Sequence, residues 1–258
     1  YCNIMKKNPC ILVTNDDGIN SQGIKILEKI AKNFSDNVFV IAPNKEQSAK
    51  SHSITLNDPL RINKLSNRRF SITGTPTDCV ILGINQVMDC MPDIILSGIN
   101  CGANIADDIS YSGTIAAAIE GSLMGIPSIA LSQVYNDRKN LSWDVSKKYS
   151  QVVIEKLLDI KLDANVLLNI NFPSILTKNN NFISITKQGK RSYEKMHIDN
   201  KKDPRGEEYY WLGYRKQRII PKDNSDLAAI ARGFISISPL KIDFTHNKSL
   251  KLLRDKLK

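Results

Sequence analysis

Apolar residues in the first half of the chain recur in two alternating rhythms. Residues 11–13 form a short, branched apolar run ended by Asn15-Asp16-Asp17-Gly18, the pattern of a buried parallel strand. Residues 21–34 place Ile24, Leu27, Ala31 and Phe34 three or four positions apart, which predicts an amphipathic helix. A second apolar run at 38–42 stops at Pro43. Thr75-Pro76-Thr77-Asp78 predicts a helix start, with Thr75 as cap, Pro76 at the first helical position and Asp78 near the positive end of the dipole. Val80, Ile81, Ile84 and Val87 or Met88 continue its apolar face. Residues 94–96 predict another strand. Residues 113–124 predict an alanine-rich helix that Ser112 can cap and Gly125 ends, and residues 129–131 the next strand.

Strand and helix in strict alternation predict parallel pairing with right-handed crossovers. The expected fold is α/β: a doubly wound, mostly parallel, Rossmann-like sheet. Ligands of such sheets bind beyond the carboxyl ends of the strands. The second half is less regular. A helix is expected over 145–158 and a strand over 166–170. Residues 187–226 are then long and polar, with Tyr193, Tyr209, Tyr210, Trp211 and Tyr214 embedded. A structureless stretch of that length is uncommon inside a compact domain, so a hairpin arm packing on a neighbouring subunit is expected there. Residues 234–238 alternate like a strand, and a short basic helix is expected from residue 247. The chain divides into a core over 5–186, a β-rich oligomerisation arm over 187–232, and a final strand and tail over 233–258.

Composition narrows the partners. Hydrophobic residues make up 41% of the 258, ordinary for a packed domain, and no apolar run approaches the roughly 18 residues of a membrane span. The run at 10–13 behind Lys6 and Lys7 is too short for a secretory leader, and Met5 is read as the natural start. A net charge of +10 favours anionic partners. The lysines are scattered rather than striped with aromatics, so nucleic acid is not expected as the main partner. Cys2, Cys10, Cys79, Cys90 and Cys101 are odd in number and show no C-x-x-C spacing, which predicts reduced thiols.

Four loops carry candidate chemistry. Asp16 and Asp17 stand side by side at the end of the first strand, and the nearest cations in sequence are Lys7 and Lys25. The pair is either a hard-metal ligand set for Mg²⁺, Mn²⁺ or Ca²⁺ or a solvated acidic turn with Gly18 at positive φ. Residues 97–104 bring Gly98 and Gly102, which allow close backbone approach, and the polar Asn100 and Asn104. Tyr111-Ser112-Gly113-Thr114 opens a helix whose free N–H groups suit an anion, although N-capping alone explains Ser112. Capping does not explain a glycine opening an alanine-rich helix, unless the backbone must be bare there. Residues 43–48 offer Ser48 as a further ligand or form a plain surface loop. Together the loops suggest metal-assisted phosphoryl hydrolysis. No Cys-x₅-Arg, D-x-D-x-T, G-x-S-x-G, Walker or G-x-G-x-x-G element is present.

These stretches resemble the SurE survival-protein family. The resemblance rests on ILVTNDDGI at 11–19, APNKEQS at 42–48, GTPTDCV at 74–80, PDIILSGINCGAN at 92–104 and DDISYSGTIAAA at 107–118. It continues with DPRG at 203–206, YYWLG at 209–213 and GFISISPL at 233–240. It implies a metal-dependent 5′(3′)-nucleotidase with one divalent ion per subunit, held by Asp16, Asp17, Ser48 and Asn100. Asp16 or Asp17 would also orient or deprotonate the attacking water. Phosphate contacts are implied for Asn15, Gly98, Asn104, Ser112, Gly113 and Thr114. Nucleoside monophosphates and short polyphosphate would be substrates of a cytoplasmic dimer or tetramer with an exchanged C-terminal segment. One departure stands out: the family usually follows Ser48 with Gly-Ala-Ser, whereas this chain reads Ala49-Lys50-Ser51. A nucleoside hydrolase, which would release free base, lacks its aspartate spacing here. A non-catalytic nucleotide- or RNA-binding module is the remaining alternative, and its binding would fall steeply with salt.

Overall fold

Strand β1 (Ile11–Thr14) is buried along its whole length because its side chains alternate between two helical layers. Ile11 and Val13 join a cluster with Ile24, Leu27 and Ile30 of α1 (Gln22–Ala31) and with Val153 and Ile154 of α4 (Asp144–Leu158). Leu12 joins the opposite cluster, with Cys79 and Val80 of α2 (Pro76–Leu82) and Ala117 of α3 (Gly113–Leu123). The same alternation runs along β5 (Ile94–Cys101): Ile94 and Leu96 on one side, Ile95 on the other. Helices thus cover both faces of the sheet, as a buried parallel sheet requires.

The computed structural model describes residues 7–137, 141–191, 196–214 and 223–257. Cys2, Met5, Lys6, Tyr193 and parts of the expected 187–232 arm lie outside the described residues. Nine strands form one sheet, in the order β3 (Ile62–Ser66), β4 (Arg69–Ile72), β2 (Val38–Pro43), β1, β5, β6 (Ser128–Gln133), β7 (Val166–Phe172), β11 (Ile235–Lys241), β8 (Ile183–Ile185). Only β3 with β4 and β7 with β11 pair antiparallel. The mostly parallel α/β architecture read from the sequence is the one present.

Element ends follow the expected chemistry. Thr75 accepts from the Asp78 amide while the Asp78 carboxylate accepts from the Thr75 amide, a reciprocal capping box with Pro76 behind it. The helix continuing from α2 is shorter than its apolar face suggested, because a single π-turn takes over at Gly83–Val87. Strand β5 runs five residues beyond the expected 94–96, past a register shift between Ser97 and Asn100. The hairpin β3–β4 went unread, since β3 is an exposed edge strand with no buried alternation. Strands β9 (Met196–Lys202) and β10 (Glu208–Tyr214) pair antiparallel apart from the main sheet. Helix α5 (Asp226–Ala231) returns to the core, and α6 (Asn247–Lys256) closes the described chain.

The expectation of reduced thiols is corrected at one pair. Cys10 and Cys90 form a disulfide across 80 residues of sequence. Local spacing does not reveal it, because the pairing arises only when β1 and β5 lie side by side and bring the turn before β5 to the start of β1.

Ile95 is fully buried between the sheet and α3. Ile95→Ala should lower unfolding free energy by about 2–5 kcal/mol. Urea denaturation would show this as a lower midpoint at unchanged slope; an unchanged midpoint would contradict the packing described.

Candidate active site

The sheet's parallel register sets the site. Thr14 of β1 pairs with Ser97 of β5, so the residues that follow both strands emerge at one edge. Asp16 and Asp17 leave β1 there, Asn100 and Cys101 lie at the end of β5, and Pro43 ends β2 next to them.

Three hydrogen bonds draw these loops together. The Asp16 carboxylate accepts from the Thr114 hydroxyl at 2.5 Å, at the first turn of α3. The Asp16 carbonyl accepts from the Gln47 amide at 2.8 Å, tying in the loop that carries Ser48. The Asp17 carboxylate accepts from the Cys101 amide at 3.0 Å, beside Asn100. Gly18, at φ +94°, turns the chain tightly under this contact, and a Cβ there would lie 3.2 Å from the Lys45 backbone.

Gly113 has a specific steric cause. A Cβ on it would lie 2.7 Å from the Asp16 Cβ and 3.0 Å from a carboxylate oxygen. The helix must start bare because Asp16 is seated against it. Asp16 is 4% exposed. Burial, and then the neighbouring Asp17 charge, push its carboxyl up to about 6, while the Thr114 hydroxyl and amide oppose that shift.

The other expected residues fall into two groups. Asn15 is fully buried; its amide donates to the Gly18 carbonyl at 3.0 Å and to the Ser21 hydroxyl at 2.8 Å. Its side-chain oxygen is buried with no hydrogen-bond partner. Asn100 is half-buried, and its amide donates to the Gly102 carbonyl at 3.0 Å. Ser48 is exposed and donates to Glu46 at 2.7 Å. Gly98 packs so closely on β6 that a Cβ would lie 2.3 Å from the Leu131 carbonyl oxygen. The Ser112 hydroxyl caps α3, accepting from the Ile115 amide at 3.1 Å.

Asn104 lies deeper than a surface contact would. Its amide donates to Ser132 at 2.9 Å, its backbone N–H donates to Asn171, and its carbonyl accepts from Asn169 and Asn171. Sequence reasoning passed over Asn169 and Asn171. Their signal was present: two asparagines at strand period inside an otherwise apolar strand. A strap over residues 49–55 also escaped notice. Ser51 bonds the carbonyls of Ser110 and Tyr111, Ser53 accepts from Thr75, and Thr55 bonds Asp78. Ala49 sits at φ +58°, the left-handed region that favours glycine, which is why this departure from the family pattern has a conformational consequence.

The donor set suits a hard divalent cation. Two carboxylates sit together, neutral amide oxygens lie beside them, and one of these, on Asn15, is buried and unpartnered. Among the described residues no cluster of three or more His, Cys, Asp and Glu side chains converges. A cation here would complete its shell with neutral oxygens and water, as Mg²⁺ does.

Comparison with known proteins identifies the relatives of this chain. The family model described as Survival protein SurE matches residues 11–195. The chain is 44% identical over 252 residues to the 5′-nucleotidase SurE of Beijerinckia indica, covering 96% of each. It is 45% identical over 247 residues to the 5′-nucleotidase SurE of Hyphomonas neptunium, covering 95% of this chain and 98% of that one. The crystal structure of the SurE protein from Aquifex aeolicus superposes with a TM-score of 0.83 at 34% identity, covering 97% of this chain and 100% of that one.

Alanine ordinarily favours a helix over glycine by about 1 kcal/mol. At residue 113 the sign should reverse, because the added methyl meets Asp16. Gly113→Ala is expected to destabilise the fold by about 1–3 kcal/mol; a thermal melt at or above that of the unmodified protein would contradict the seating of Asp16.

Proposed function

Because the chain belongs to the SurE survival-protein family, we propose that it is a 5′(3′)-nucleotidase that hydrolyses nucleoside monophosphates to nucleoside and phosphate with a divalent metal and an activated water. The observation that carries this reading is the Asp16 carboxylate seated on the bare start of α3, with Asp17 beside it. In this reading the seat keeps the two carboxylates and the first turn of α3 within one side chain of each other.

Metal dependence is general in this family. We assign one ion per subunit, Mg²⁺ or Mn²⁺ with Ca²⁺ as a further candidate, to Asp16, Asp17, Ser48 and Asn100. When bound, the cation lowers the pKa of a water and offsets charge on the phosphate. Thr114 fixes the Asp16 rotamer through its hydroxyl. Ser48 would reach such an ion by turning from Glu46, to which its hydroxyl donates. Residues 98–104 bring bare backbone to the phosphate, and the first turn of α3 at Ser112, Gly113 and Thr114 adds N–H groups and the positive end of its dipole. Asp16 or Asp17 takes the proton of the attacking water. The water oxygen bonds phosphorus, the ester P–O bond breaks, and the same carboxyl returns its proton to the leaving nucleoside oxygen.

Short polyphosphate suits the same cradle. The arm over 187–232 is the proposed oligomerisation element of a homodimer or homotetramer. Exposed Ile198, Tyr210, Trp211 and Leu212 on β9–β10 support that role. Among the described residues no helix is long and apolar enough to cross a membrane, and the cytoplasm is the proposed compartment.

A phosphate-release assay with AMP and GMP tests the reading. Asp16→Asn should reduce the EDTA-sensitive rate by at least about 100-fold. Near-normal activity in that variant would sink the metal assignment. Thr114→Ala should weaken turnover through the freed Asp16 rotamer, and unchanged kinetics would remove its positioning role.

A further inference from the structure

The phosphate cradle explains affinity for a phosphate monoester but not a preference for nucleotides. The residue placed to supply that preference is Tyr111. It ends a short 3-10 turn, Ala106–Tyr111, and stands two residues before Gly113. Its Cα is therefore within about 7 Å of the start of α3. Its side chain is 53% exposed.

The backbone beneath this side chain is held on both sides. The Tyr111 carbonyl accepts from the Ser51 amide of the strap at 3.1 Å, and the following residue, Ser112, caps α3. The ring therefore stands exposed on a backbone that is held in place. Among the described residues the other exposed large aromatics lie elsewhere: Tyr209, Tyr210 and Trp211 on the β9–β10 hairpin and Phe244 near the C-terminus. Tyr209 and Trp211 meet each other edge-on with centroids 6.4 Å apart. No described ring stacks on Tyr111. Tyr135 also flanks the cradle, half-buried, with its ring edge 3.6 Å from where a Cβ of Gly102 would stand.

We propose that Tyr111 is the stacking platform for the nucleobase, and so the residue that separates nucleotides from other phosphate monoesters. The inference rests on the nucleotidase reading above. With the phosphate at the first turn of α3, a nucleoside extending towards solvent passes the Tyr111 ring. Stacking engages the face of any base, so the platform favours nucleotides as a class and does not choose strongly among bases. Water leaves both apolar faces on contact.

The test compares AMP, GMP and ribose 5-phosphate, which keeps the phosphate and sugar but has no base. Tyr111→Ala should raise KM for AMP and GMP by about tenfold, with kcat little changed and ribose 5-phosphate kinetics unaffected. Tyr111→Phe should restore the nucleotide KM, since the ring face and not the hydroxyl does the binding. An equal loss on ribose 5-phosphate would assign Tyr111 to the cradle's structure and overturn the proposal. An unchanged KM for AMP would overturn it as well. Failure of the underlying reading looks different: the unmodified protein would then release no phosphate from AMP or GMP.

Discussion

The contact between the Asp16 carboxylate and the first turn of α3 is the constraint on which the site depends. The carboxylate is buried, lies beside a second carboxylate, and has the Thr114 hydroxyl and the helix start as its local compensation. Two acidic groups held this way are costly without further positive charge. The helix dipole offsets part of that cost, and a divalent cation would offset the rest. Gly113 follows from the same contact, because any side chain there would dislodge Asp16. The glycine and the threonine are therefore parts of one fitting.

The sheet makes this fitting possible. Parallel strands deliver their carboxyl ends to one edge, so loops distant in sequence meet without long excursions. Register between β1 and β5 puts Asp17 in reach of the Cys101 amide. The strap after Ser48 is then stapled across the starts of α2 and α3 by Ser51, Ser53 and Thr55. His52 adds a contact to Glu120 at 2.9 Å. The same strap fixes the Tyr111 carbonyl, so the loop proposed to hold metal and the proposed base platform share one scaffold. A further tie reaches the root of the arm, where the buried Asp226 accepts from the amides of Ala106 and Gly189. Arg191 pairs with Asp108 close by.

Much of this was legible in the chain. Short branched runs marked β1, β2, β5 and β6, with polar, glycine-bearing loops at the ends of β1 and β5, and helical spacing marked α1 to α4. Thr75, Pro76 and Asp78 announced a helix start in detail, and the odd placement of Gly113 announced a bare backbone. What stayed hidden depended on tertiary neighbours. The edge strand β3 buries nothing, so it left no periodic signal. The Cys10–Cys90 link needs β1 beside β5. Partners on β6 and β7 hold Asn104 inside, and nothing local to residue 104 reports on them. The bond from the Thr114 hydroxyl to Asp16 also joins residues 98 positions apart and left no local sign.

The central claim is that the Asp16–Asp17 pair, seated on α3, holds a divalent cation. Anomalous diffraction from crystals of this protein grown with Mn²⁺ tests it most directly. The account predicts one strong peak per subunit within about 2.0–2.3 Å of oxygens from both Asp16 and Asp17. A peak bound to other residues, or none at this edge of the sheet with the metal present in excess, would contradict it.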